Sequence, residues 1–378
     1  MTRPLRIASH ILPPLAAFAA ARAFVLVVLT LYGLDAWDSG IWAKWDSGHY
    51  LSIAERGYEF YWGDFAGHPG VAGWQGNAGW MPGYPMVIRL PLHVGFSPQV
   101  SGVIVALLFE LASLFLIWGF FFDARWSWSN FVCLLAAAFF PGMVYYHAVY
   151  PISQLNALTL TSLLLALRKR WGWAGFFAGL AAFTYTMGFV MAATLFIWAL
   201  LGPEPFKKRL THGAMCGGLA LAGLGAVMLM QKVSVGVWTA FYRIDSDYGY
   251  GRTIYNPFRS FAEAIGPLGK SLPLILKMPA IQTLFVAGLL VVLTAFVWRR
   301  RKDKGIDADI LLLLFAWIAW SFPMLLGRTA NLYRAEATLL PVAIVLRRTP
   351  LALRLGVLAV CVYLAYWMTV LFISGGLE

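Results

Sequence analysis

The chain has 378 residues, of which 60% are hydrophobic and only 12% charged, with a mean hydropathy of +0.71. That balance excludes an ordinary soluble domain and implies a membrane protein. The formal net charge of +12 does not argue for nucleic acid, because the placement of Lys and Arg in a membrane chain reports topology rather than a partner.

Apolar runs long enough to cross a bilayer recur from end to end, with no sign of a separate soluble domain in 1–378. The first, "ILPPLAAFAAARAFVLVVLTLYGL" at 11–34, is too long for a signal-peptide core and lacks a small-residue cleavage site. It is expected to stay as the first crossing. A loop rich in Gly, Pro and aromatics follows at about 35–98, then apolar segments at Gln99–Phe122, Asn130–Tyr150 and Ile152–Leu167, closed by "RKR" at 168–170.

The run 171–201 has 31 residues and would make a helix of about 46 Å, well beyond a hydrocarbon core of about 30 Å. Basic clusters flank it on both sides, "RKR" before and "KKR" at 207–209 after. A single crossing would put one of them outside, so two short helices turning near Thr184–Gly188 are expected, as a re-entrant pair. A crossing at about Thr211–Met230, a second outer loop at about 232–278, and a crossing ending in "RRRKDK" at 299–304 come next. Two crossings then bracket 327–337 and Arg347-Arg348, and the last ends near Ser374.

The expected fold is all-α and polytopic, with about nine full crossings plus the short pair. Of the 29 Lys and Arg, 17 then fall in the N-terminus or short cytoplasmic connections, 11 on the outer side and one, Arg22, inside the first helix. That bias orients both long loops outward. Cys133, Cys216 and Cys361 are far apart in apolar segments, so neither a disulfide framework nor a zinc spacing is present. With no nucleotide-binding glycine motif, a cytoplasmic nucleotide-sugar or ATP site is not expected. Nor is a metal or other cofactor, since no His/Asp/Glu cluster has ligand spacing.

The first outer loop carries Trp-Asp-Ser-Gly twice, with Asp38 and Asp46 eight residues apart. On one helix that offset means about 80° of rotation and about 12 Å of rise. The two carboxylates then cannot flank one bond as a glycosidase pair does, within about 5–10 Å. One Asp is expected to do chemistry and the other to cap or bind. Six of the 17 Trp residues also lie in this loop, among them Trp45 and Trp80. They suit sugar faces and membrane-interface anchoring equally.

The stretch "WDSGHYLSIAERGY" at 45–58 resembles the Trp-Asp-x-x-His-aromatic-x-x-Ile-Ala-x-x-Gly-Tyr segment of the second mannosyltransferase of GPI-anchor assembly (PIG-V) and its bacterial relatives. "GWMPGYPMVIRL" at 79–90 and "FFPGMVYYHAVYP" at 139–151 are similar to the blocks that follow in that family. Beyond about residue 200 the likeness rests on hydropathy and on "LYRAEATLLP". Two departures stand out. Where family members carry a Glu after the Tyr of the third block, this chain has Ile152, with Gln154 nearby. Where they carry an Arg at the turn of the short pair, it has "TYTMG".

The resemblance implies a GT-C glycosyltransferase. Such an enzyme moves a sugar, here mannose, from a polyprenyl-phosphate donor to a lipid-linked glycan or glycolipid on the outer face of the plasma (inner) membrane. The motif selects Asp46 over Asp38 as general base, since a carboxylate against an alcohol can take its proton during attack. A leaving phosphate gains charge that preorganised Arg can stabilise. Arg334 is the first candidate and Arg328 the second, with His49 either assisting phosphate binding or holding a structural hydrogen bond. Trp45, Asp38, Tyr58, Trp80, Tyr84 and Gln154 are expected to line the substrate site. No second carboxylate is placed as a nucleophile, which points to inversion. Glu110, mid-run in the second crossing, is expected to pair with Arg22. Other readings of the same residues are a transporter or flippase of polyprenyl-linked sugars, which lacks support from any matching second half, and an inactive assembly subunit. Membrane lipids are the expected surroundings.

Overall fold

The computed structural model describes residues 3–65, 68–247, 254–303, 305–327 and 331–377. The chain opens with α1 (Arg3–Leu31), a 3-10 turn at Ser39–Trp42 and α2 (Ser47–Arg56). An antiparallel hairpin of β1 (Phe60–Phe65) and β2 (His68–Gly76) and then α3 (Gly83–His93) complete the first long loop. Next come α4 (Pro98–Leu116), which runs on through a π turn at Ile117–Phe121, α5 (Trp128–Ala138) and α6 (Ile152–Leu167). They are followed by α7 (Trp171–Thr184), α8 (Val190–Leu200) and α9 (Phe206–Val235). The second long loop holds α10 (Ala240–Asp247) and α11 (Pro257–Ile265), ahead of α12 (Leu274–Arg299) and α13 (Asp307–Leu325). The chain closes with α14 (Leu332–Glu336), α15 (Val342–Val345) and α16 (Leu351–Ile373).

This is a multi-pass membrane protein. Among the described residues six helices are long and apolar enough to cross a membrane, fewer than the nine expected. The difference has a local cause. The expected crossings at 130–150, 152–167 and 337–347 are carried by shorter or interrupted helices. The first is broken where α5 stops before Pro141 and Gly142, the latter left-handed at φ +82°. The third is split by 3-10 turns at Ala337–Leu339 and Leu346–Arg348. A run of apolar residues fixes burial, but proline and glycine decide whether it stays one helix.

Interrupted backbone in a membrane protein must find partners inside the protein, and here it does. Residues 332–346 are all buried. The carbonyl of Ala337 accepts from Tyr146 Oη at 2.8 Å and Asn156 Nδ2 at 3.0 Å. That of Leu346 accepts from Arg354 Nε at 2.9 Å. Gly142 makes the first of these approaches possible, since a Cβ there would sit 2.7 Å from Ala337 Cβ.

The run 171–201 forms two helices, with a 3-10 turn at Thr186–Phe189 between them. Helix α7 packs against α9 through small residues. A Cβ on Gly179 would lie 2.6 Å from Leu219 O, and one on Gly223 would lie 2.0 Å from Gly179 O. Such small-residue seams let helices associate by close packing where water exclusion gives no drive. The β1/β2 hairpin departs from the all-α expectation. It pairs Phe60 with Gly76 and Trp62 with Trp74, and its aromatics suit a pleated, half-exposed ribbon.

The first long loop packs on the second and on the end of α9. Trp74 N–H donates to Asp247 Oδ2 at 2.9 Å, and Gln231 Nε2 donates to Ala78 O at 2.8 Å. At the opposite end, fully buried Asp309 takes Arg347 at 3.0 Å and Arg348 at 2.7 Å. Arg22 pairs with Glu110 at 3.1 Å, as expected, and also contacts His147 Nδ1.

Candidate active site

Asp38 and Asp46 sit in different local structures. Asp38 caps the 3-10 turn, its Oδ1 accepting the Gly40 N–H at 2.8 Å. Asp46 precedes α2 but makes no side-chain capping bond, because its own backbone is already helical at φ −58° and ψ −18°. An N-cap Asp normally turns back on the first amides from an extended backbone. Here the carboxylate is free to point away, and it meets Arg334 Nη1 from 288 residues downstream.

The chain before Asp46 is held firmly. Trp45 adopts a left-handed backbone at φ +49°, a conformation unfavourable for a bulky residue and tolerated where the surroundings impose it. Its ring meets Phe372 edge-on at 5.0 Å. Lys44 Nζ caps the end of α16 through Ile373 O at 2.7 Å, and Lys44 O accepts from Tyr150 Oη at 3.2 Å. Val149 N–H donates to Trp42 O and Ser47 Oγ donates to Val149 O, both at 3.0 Å. Residues 42–47 are thereby stitched to 149–150 and to α16.

Arg334 lies deeper than its partner, with 8% of its side chain exposed against 28% for Asp46. Its guanidinium sits 5.4 Å from the Tyr150 ring, a cation–π arrangement. Tyr185, from the turn after α7, and Tyr145 are within electrostatic reach of the same guanidinium. Sequence reasoning missed these tyrosines. For Tyr145 and Tyr150 the visible signal was the density of aromatics in "VYYHAVYP", which served there only to carry the resemblance. Arg328 lies outside the described residues.

His49 is one turn on from Asp46 and stacks flat on Trp80, with centroids 3.5 Å apart and planes at 10°. Burial pushes its imidazole below the usual histidine range, and the charge of Asp46 offsets this only in part. A neutral ring at pH 7 is a poorer phosphate ligand than a cation. The stacking occupies one face of Trp80. Tyr58, whose hydroxyl burial raises above its ordinary range, donates to Trp80 O at 2.9 Å. Tyr84 is fully buried and donates to Gly102 O at 2.8 Å. Gln154 is buried against Gly83 O and Thr184 Oγ1 at 3.4 Å each, with its Oε1 unbonded. The structure therefore brings Asp46, Arg334, His49, Trp45 and Trp80 to one place. Tyr58, Tyr84 and Gln154 stand in the packing behind them, and Asp38 in its own turn. Among the described residues no group of three His, Cys, Asp or Glu could hold a metal ion.

No family model and no curated protein matches the chain. Among solved structures, the apo form of the oligosaccharyltransferase of Archaeoglobus fulgidus is similar over 96% of this chain and 56% of its own, at TM-score 0.50 and 12% identity. The archaeal oligosaccharyltransferase AglB from Archaeoglobus fulgidus, with an inhibitory peptide and a dolichol-phosphate, gives 0.49 at 11% identity over the same shares. This chain spans about half the length of those proteins, 56% in each case. The likeness is one of fold.

Proposed function

We propose that this protein is an inverting GT-C glycosyltransferase that moves a sugar from a polyprenyl-phosphate donor to a lipid-linked glycan or glycolipid at the outer membrane face. Mannose is the sugar that the resemblance to PIG-V implies. The observation that carries the reading is the pairing of Asp46 with Arg334. A carboxylate suited to take a proton and a guanidinium suited to hold a phosphate meet at the rim of a broken, buried segment.

The pairing suggests an order of events. In the empty site each group satisfies the other. A donor phosphate offers the guanidinium two oxygens and competes for it, leaving the more exposed Asp46 carboxylate free for the acceptor hydroxyl. The acceptor oxygen then bonds to the anomeric carbon, the bond from that carbon to the phosphate oxygen breaks, and the hydroxyl proton passes to Asp46. The departing phosphate gains charge against Arg334 in a site screened by tyrosine rings, where electrostatic stabilisation is strongest.

The test is to incubate purified protein with a panel of polyprenyl-phosphate sugars and a glycolipid acceptor and follow free polyprenyl phosphate. Release with one sugar only supports the reading and names the donor. No release with any sugar, combined with movement of the intact lipid across protein-containing vesicles, would replace it with a carrier.

A further inference from the structure

We propose that Glu336 is a positioning residue, which with Gln282 and Trp320 holds the short helix carrying Arg334 so that the guanidinium faces Asp46. This rests on reading Arg334 as the phosphate ligand.

Helix α14 has five residues, too few to sustain itself, since a single helical turn costs more order than its hydrogen bonds return. Its geometry must come from outside. Glu336 is fully buried. Its Oε2 accepts from Gln282 Nε2 of α12 at 2.9 Å, and its Oε1 accepts from Trp320 Nε1 of α13 at 3.3 Å. The same Gln282 Nε2 donates to Tyr333 O at 3.0 Å. One amide group from α12 thus grips the segment on both sides of Arg334. The capture of Ala337 O by Tyr146 and Asn156 fixes the next residue.

The residue type at 336 follows from the donors facing it. The Gln282 amide nitrogen and the Trp320 ring nitrogen can only donate, and the Thr283 hydroxyl also bonds the carboxyl, so position 336 needs two acceptor oxygens. A carboxyl group supplies both, and an amide supplies one. Placing an acidic side chain out of water is costly in a membrane protein. The cost is intelligible where the bracing fixes a group whose misplacement by about 1 Å can lower a rate about 10²-fold.

The test is a double-mutant cycle read as single-turnover release of polyprenyl phosphate with enzyme in excess. Glu336→Gln is expected to slow release on the order of 10- to 100-fold while changing polyprenyl-phosphate binding less. The deciding measurement repeats the change in an Arg334→Ala background. There it should cost nothing further, because the group it positions is gone. Gln282→Met removes both amide donors without touching the carboxyl, should show the same dependence on Arg334, and serves if the Glu336 variant fails to fold. Full activity in both folded variants, or an equal fractional loss with and without Arg334, would overturn the proposal. Wild-type turnover by Arg334→Ala would instead show that the reading of Arg334 is wrong.

Discussion

At the scale of single residues, the two aspartates separate by what their carboxylates already do. Asp46→Asn keeps size and a polar contact to Arg334 but removes the base, so transfer should fall about 10²- to 10⁴-fold in single-turnover assays. Asp38→Asn retains a good capping side chain and should change little. Asp38→Ala should cost about 1 kcal/mol of stability with turnover per folded molecule unchanged. Asp46→Ala would leave a buried guanidinium unpaired, a change that can cost about 3–5 kcal/mol, which makes Asn the cleaner probe. For Arg334, activity should rank wild type above Arg334→Lys above Arg334→Ala, because Lys keeps the charge and loses the planar fork. Since the phosphate gains charge as its bond breaks, kcat should fall more than donor affinity. A pure loss of affinity would place the contact in the ground state only. The motif around Asp46 was legible in the sequence, and Arg334 could be named as a candidate. Their contact could not be read, because nothing local links residues 288 positions apart. Nor could the tyrosines beside Arg334, since an aromatic at membrane depth reads first as packing.

At the scale of elements, length and charge were enough to foresee that 171–201 folds as two helices, and the 3-10 turn at Thr186–Phe189 begins within the stretch expected to turn. What the sequence left hidden is how that pair is seated. Gly179 and Gly223 let α7 and α9 touch backbone to backbone, so Gly223→Leu should force the pair apart and lower stability by about 1–3 kcal/mol. Gly225, in the same helix, is the control, because a Cβ added there would meet nothing within 4 Å. Gly225→Ala should be neutral or stabilising by up to about 1 kcal/mol. Thermal unfolding in detergent compares the two. Equal effects would mean that helix propensity, not the seam, sets the outcome. The broken crossings escaped the sequence reading for a physical reason. Hydropathy registers how apolar a segment is, whereas Pro141, Gly142, Pro151 and Pro341 govern its continuity, and where their freed backbone groups find partners is a tertiary matter.

At the scale of the whole molecule, composition announced the class, and the basic clusters predict an orientation. The structure adds that the two long loops share one end, the first joined to the second by Trp74–Asp247 and to the end of α9 by Gln231–Ala78, while Arg347, Arg348 and Asp309 gather where α12 ends and α13 begins. Helix α12 has 26 residues and so a length of about 39 Å, enough to set those ends on opposite sides of a bilayer. The prediction is that the hairpin faces outward and the 299–303 segment faces the cytoplasm. Asp64 and Asp303 are both exposed, so single cysteines there, in a background lacking Cys133, Cys216 and Cys361, report each side without disturbing the core. Impermeant maleimide should label Asp64→Cys in intact cells and Asp303→Cys only after permeabilisation. Because residues 42–47 join the hairpin-bearing loop to the end of α16, the same labelling locates the Asp46–Arg334 pair. The opposite pattern would put the pair on the cytoplasmic side, where the positive-inside bias of 17 among 29 basic residues would have failed and an outer-face donor could not reach it.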